Sequence, residues 1–188
     1  INAILYYAPA IFRMAGAGES SALLQSVFVG GTNLVFTMAA MAVIDRFGRR
    51  KLMIVGSIGY IASLSVTAWA FYRYGTEFTP AGSRVVLASL IVFIASHAFG
   101  QGAVIWVFIS EIFPNRVRAR GQALGSLTHW VLAAAISWTF PMIAEASGGH
   151  VFAFYAAMMV LQLAWVLRVM PETKGVALED IQKRLGIA

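Results

Sequence analysis

The sequence contains no cysteine, which excludes a disulfide framework, a thiolate zinc site and a thiol nucleophile. It is also poor in charge: Asp, Glu, Lys and Arg make up 12% of its 188 residues. A soluble domain usually carries about 25%. The scarcity is concentrated in five long apolar runs, 22–44, 52–72, 85–110, 121–144 and 151–170. These runs hold no Asp, Glu or Lys, and their single Arg, Arg168, stands near the end of the last. Paired carboxylates, a Ser/His/Asp set and a metal-ligand cluster are all missing from them. An enzyme, a bound metal or a cofactor therefore finds no support.

What remains is mostly hydrophobic, 60% of the chain. A soluble surface this apolar would present large sticky patches, so the expected solvent is lipid. Each run has the roughly 20 residues that a helix needs to cross the hydrocarbon. Ile1–Phe12 reads as the middle of another apolar segment, and residue 1 is not Met. The expected fold is an all-α membrane protein, a six-transmembrane-helix bundle over residues 1–170 whose first helix, about 1–15, is truncated. Residues 171–188 form the expected tail, with a short amphipathic helix at Val176–Leu185. Six spans that start inside a helix suggest half of a twelve-span transporter built from two parallel repeats. An N-terminal six-helix half is then an implied partner.

The basic residues sort themselves by side. Arg46, Arg49, Arg50, Lys51, Arg116, Arg118, Arg120, Arg168, Lys174, Lys183 and Arg184 fall on one face. Only Arg13, Arg73 and Arg84 fall on the other. The positive-inside bias puts the first group and the C-terminus in the cytoplasm, and the plasma membrane is the expected location. Topology thus accounts for the net charge of +6, and nucleic acid is discarded as a partner.

Two loops on that basic face share a design. Asp45-Arg46-Phe47-Gly48-Arg49-Arg50-Lys51 opens on an acid and turns at Gly48. Glu111-Ile112-Phe113-Pro114-Asn115-Arg116-Val117-Arg118 opens on an acid and turns at a proline. Either loop alone reads as a topogenic basic cluster. Together they allow crosswise pairing, because a planar guanidinium suits a carboxylate bidentately.

These two loops, followed by Pro171-Glu172-Thr173-Lys174-Gly175 and preceded by Ile1-Asn2-Ala3-Ile4-Leu5-Tyr6-Tyr7, resemble the sugar porter family of the major facilitator superfamily. The likeness covers essentially the whole chain as that family's spans seven to twelve. It implies alternating-access transport of a monosaccharide, by symport or facilitated diffusion. In that family the proton-coupling acid, where present, lies in the first span, outside this sequence. The expected conformational ion-pair cluster is Asp45, Arg46, Arg49, Arg50, Glu111, Arg118 and Glu172.

The resemblance also assigns roles within the membrane. Asn2 and Asn33 correspond to sugar-hydroxyl ligands, and Tyr6 and Tyr7 to an aromatic pair near the outer gate. The residues alone leave both amides open as ligands or as interhelical glue. Trp106 follows Gly100-Gln101-Gly102 and is placed to stack on a sugar; Ala103 and Ile105 stand where the family often has prolines. Gln101, between the glycines, is a further cavity candidate on its own chemistry. His129 shares a helical stripe with Gln122, Ser126, Ala133 and Ser137 and stands where the family has an amide. It reads as a hydroxyl ligand or as a packed interhelical histidine. Absence of charge from the spans suits a neutral substrate. Alternative readings are a carrier of another small solute (polyol, drug or organic ion) and a sugar sensor that does not transport.

Overall fold

The computed structural model describes residues 1–75 and 77–176. They form helices throughout, and five are long and apolar enough to cross a bilayer. All but the first residue of the expected tail helix Val176–Leu185 lie outside the described residues.

The first span is two short helices, α1 (Asn2–Tyr6) and α2 (Ala8–Met14). The break falls at Tyr7, because Pro9 has no N–H to offer the carbonyl of Leu5. Next come α3 (Glu19–Phe47) and α4 (Arg49–Tyr74), with Gly48 alone between them. At 29 residues, α3 is about 43 Å long, well beyond the ~30 Å hydrocarbon core. The expected loop Asp45–Lys51 is therefore mostly helix: Asp45 and Arg46 end α3, and Arg49–Lys51 begin α4.

The fourth span, Pro80–Ile112, is continuous but not uniform. It comprises α5 (Pro80–His97), a π-helical turn (Ala98–Gly102) and α6 (Ala103–Ile112). Thr79 caps its start by accepting from Gly82 N at 3.1 Å. The π turn coincides with Gly100 and Gly102, where helix propensity is weakest. The remaining helices are α7 (Arg118–Ala146), with Pro141 inside, and α8 (Gly148–Arg168).

The buried interior has two apolar clusters. The larger gathers Phe12, Leu64, Leu90, Ile94, Phe140 and Phe152, with Phe71 stacked on Phe152 at 5.4 Å. The smaller holds Leu52, Met53, Val104, Phe108, Val166 and Met170. Along α4 the two are separated by one turn, Gly56 and Ser57. There α4 and the π turn touch backbone to backbone: a Cβ on Gly100 would lie 2.9 Å from the Gly56 Cα. Lipid gives helices no hydrophobic reason to associate, so close packing of small residues and interhelical hydrogen bonds do this work.

Burial is uneven. Half of the α4 span is enclosed by the rest of the chain, against 17% for α3 and 11% for α7. Leu34, Met38, Leu127 and Trp138 stand exposed on those two helices.

Candidate functional site

The expected side chains fall into two sets, one within the spans and one at the end carrying the basic residues. Within the spans, α6 and α7 bring Trp106 and His129 together in a T-shaped contact, with ring centroids 5.2 Å apart. His129 makes a second edge contact with Trp130, also at 5.2 Å. Trp106 is 42% exposed, so its ring is available to a further partner. Asn2 in α1 and Asn33 in α3 are both half-buried. Neither amide has a hydrogen-bond partner among the described residues. Tyr7 stacks on Phe140 of α7 at 5.3 Å, whereas Tyr6 is 63% exposed.

Gln101 is placed differently from Trp106 and His129. It is buried against α4, where its Nε2 donates to Ser57 Oγ at 3.1 Å and to the Met53 carbonyl at 3.5 Å. Gln162 of α8 donates to the same hydroxyl at 3.1 Å, and Ser57 donates to Met53 O at 2.7 Å. One serine therefore ties α4, α8 and the π turn together. Gln101 and Gln162 border a cavity of about 430 Å³ that Tyr60, Tyr155 and Met158 also line. Of the expected ligand residues, Gln101 alone is among its walls. Tyr60 is hydrogen-bonded to His97, whose ring fills the space that Gly102 leaves for lack of a side chain. Ser57, Tyr60 and Gln162 were not singled out from the sequence. Their signal, polar residues within apolar runs, was present but common to many positions.

At the basic end Arg49 is the centre. It is buried, and its Nη2 and Nε meet Glu111 Oε1 and Oε2 at 2.8 and 3.2 Å, a bidentate fork. Its Nη1 meets Asp45 at 3.0 Å. Thr173 donates its hydroxyl to Glu111 as well. The four expected members Arg46, Arg50, Arg118 and Glu172 are used otherwise. Arg50 turns to α8 and donates to the carbonyls of Val166 and Leu167, satisfying the end of that helix. Arg46 is exposed, and Lys174 donates to its carbonyl. Arg118 donates to the Phe113 carbonyl at 3.4 Å, within its own loop, and meets no carboxylate among the described residues.

Glu172 caps a helix to which it does not belong. Its Oε1 accepts from Arg49 N at 2.9 Å and its Oε2 from Arg50 N at 3.1 Å. Three cations in the first turn of α4 oppose the helix dipole, and this carboxylate offsets them. The approach needs Gly48, which has φ 88° and whose Cβ, if it had one, would lie 2.6 Å from Glu172 Oε2. Oε1 also takes the amides of Thr173 and Lys174, both at 3.1 Å. The segment after α8 is thereby fastened across the ends of α3, α4 and α6.

Comparison with known proteins agrees with this architecture. A profile of the family described as sugar (and other) transporter matches residues 1–185. The chain is 38% identical over 189 residues to the D-xylose-proton symporter of Escherichia coli (strain K12), covering 97% of this chain and 37% of that protein. It is 35% identical over 191 residues to the glucose facilitated diffusion protein of Zymomonas mobilis, covering 97% of this chain and 39% of that one. Among solved structures it resembles the major facilitator superfamily proton:xylose symporter XylE bound to 6-bromo-6-deoxy-D-glucose. The TM-score is 0.83 at 36% identity, covering 97% of this chain and 39% of that chain. The chain thus spans about two-fifths of the length of the proteins it matches.

Proposed function

The chain belongs to the sugar (and other) transporter family, and on that premise we propose that it is the six-helix half of a transporter that moves a monosaccharide by alternating access. The multi-pass membrane architecture is that of the major facilitator superfamily. In this reading the other half packs on the exposed faces of α3 and α7. The sugar sits between the halves near the bilayer midplane, and the basic end and the C-terminus face the cytoplasm.

The observation that carries the proposal is the Trp106–His129 contact. It joins Trp106, a residue the resemblance assigns to the sugar, to His129, which stands where the family has an amide. An imidazole packed against an indole offers a hydrogen-bonding nitrogen beside an aromatic surface, which suits a sugar hydroxyl next to an apolar ring face. Asn2 and Asn33 have uncommitted amides and are assigned to further hydroxyls. Stripping water from a neutral polyol is offset by such amides and rings, without charge.

Energetics follow from residues elsewhere. The relatives include a protein named as a proton symporter and one named for facilitated diffusion. The acids of this chain lie outside the interiors of its spans. A carboxylate that couples sugar to a proton is therefore assigned to the other half.

Asn2 gives the sharpest test. A hydrogen bond lost in a buried site, with its partner left unpaired, costs about 1–3 kcal/mol, or roughly 5- to 150-fold in affinity. Asn2→Ala in the full-length transporter is expected to weaken sugar binding at least fivefold at unchanged membrane expression. Unaltered affinity assigns Asn2 to helix packing and removes it from the site.

A further inference from the structure

Trp106 stands just beyond a turn that helices rarely make. The π turn Ala98–Gly102 holds one residue more per hydrogen-bonded ring than the α-helix on either side of it. One residue of an α-helix sweeps about 100°. Everything after the turn, α6 included, is therefore rotated by about 100° from the course that α5 sets. In an unbroken α-helix Ile105 would point where Trp106 points, and Trp106 would turn away from His129. The Trp106–His129 contact thus depends on the extra residue staying in the turn.

So uncommon a geometry has to be held from outside, and α4 holds it at two points. Gln101, inside the turn, donates to Ser57 Oγ at 3.1 Å and to the Met53 carbonyl at 3.5 Å. His97, the residue before the turn, is hydrogen-bonded to Tyr60. Ser57 and Tyr60 are three residues apart and share a face of α4. The Ser57 hydroxyl is fully used: it donates to Met53 O at 2.7 Å and accepts from Gln101 and Gln162 at 3.1 Å each. A hydroxyl has one proton and two acceptor sites, so no place is left for a substitute partner. Two glycines make the approach possible. A Cβ at Gly56 would strike the Gln101 amide oxygen, and one at Gly100 would lie 2.9 Å from Gly56 Cα and 3.0 Å from Leu52 O.

We propose that Gln101 is a positioning residue for the Trp106–His129 pair. Its amide, bonded to Ser57, keeps the extra residue in the π turn and so fixes which side chain of α6 faces α7. Gln101 is buried against α4 and acts through Trp106, not on the solute. A leucine at 101 fills a similar volume but gives Ser57 no donor. The turn then resolves into α-helix, and Ile105 takes the place of Trp106 beside His129. An aliphatic side chain there lacks both the flat face and the ring N–H of an indole.

The effect on sugar rests on the reading of Trp106 and His129 as sugar-site residues; the effect on helix phase does not. The test reads that phase directly, in a cysteine-free background of the full-length transporter. His129→Cys is paired with Trp106→Cys or with Ile105→Cys and treated with a short bifunctional thiol reagent. With Gln101 in place, the 106–129 pair should link at least fivefold more than the 105–129 pair. Gln101→Leu or Ser57→Ala should erase that preference. With Trp106 and His129 intact, the same two changes should weaken sugar binding at least fivefold. Deleting Gln101 outright should do neither, because the turn left behind is an ordinary α turn and Trp106 keeps its phase. A residue that served packing alone would be missed at least as much on deletion as on substitution. An unchanged linking preference in Gln101→Leu overturns the proposal, as does a deletion variant that loses the preference or does not fold. If Gln101→Leu is not expressed, Ser57→Ala decides by the same preference. Sugar affinity unaffected by Trp106→Ala removes Trp106 from the sugar site, and the linking preference still decides the role of Gln101.

Discussion

Arg49 holds two carboxylates in different surroundings. The Asp45 side chain is 84% exposed, and the Glu111 side chain 20%. An exposed pair contributes about 0–1 kcal/mol. Removing one partner of a buried pair costs about 3–5 kcal/mol, because the other charge is left behind. Glu111→Gln is therefore expected to perturb the protein far more than Asp45→Asn. If the cluster latches one conformation of the transporter, Glu111→Gln slows turnover in a transport assay while sugar affinity changes less than threefold. Collapsed affinity with intact turnover sinks the latch. Residue types and spacing were enough to find Arg49, Asp45 and Glu111. They were not enough to place Gln101 or to separate Arg118 from the network. Helical phase from sequence assumes 100° per residue, and the π turn at Ala98–Gly102 shifts that phase between His97 and Trp106. Arg118 opens α7 directly after the irregular stretch 113–117, across which spacing says little about direction.

At the scale of elements, absence of charge located all five complete spans. Their ends were less legible. Helices continue past the hydrocarbon into the headgroup region, where charged side chains are welcome, so a charged stretch does not mark a loop. That is why Asp45–Lys51, which reads as a loop, is two helix ends around Gly48. The use of Glu172 as a cap for α4 was illegible for another reason: it depends on a residue more than a hundred positions away. Gly48 and Gly175 invite a comparison, since both have positive φ, 88° and 66°, and Gly48 in addition has ψ 156°, a region open essentially to glycine alone. A Cβ at Gly48 collides with the Glu172 carboxylate, whereas a Cβ at Gly175 meets nothing within 4 Å. Both alanine variants bear backbone strain of about 1–3 kcal/mol. Gly48→Ala should lose a further 0.5–2 kcal/mol or so as the cap is displaced. Thermal unfolding in detergent should therefore rank Gly48→Ala clearly below Gly175→Ala. Equal melting temperatures would show that the cap adds nothing.

For the whole molecule, sidedness ties the other readings together. The Arg49 cluster, the Glu172 cap and the segment after α8 occupy one end of the bundle; Arg13, Arg73 and Arg84 stand at the opposite end. Positive-inside bias assigns the first end to the cytoplasm from eleven of fourteen basic residues. The chain has no cysteine, so a single introduced thiol in a cysteine-free full-length background reports its own side. Gly48 is a poor place for it, because any side chain there displaces Glu172. Lys51 and Glu77 are exposed at the two ends and are better placed. With an impermeant thiol reagent on intact cells, Glu77→Cys should label and Lys51→Cys should not. Permeabilised cells should label both. Labelling of Lys51→Cys in intact cells with Glu77→Cys protected inverts the orientation. The Arg49 cluster would then face the outside.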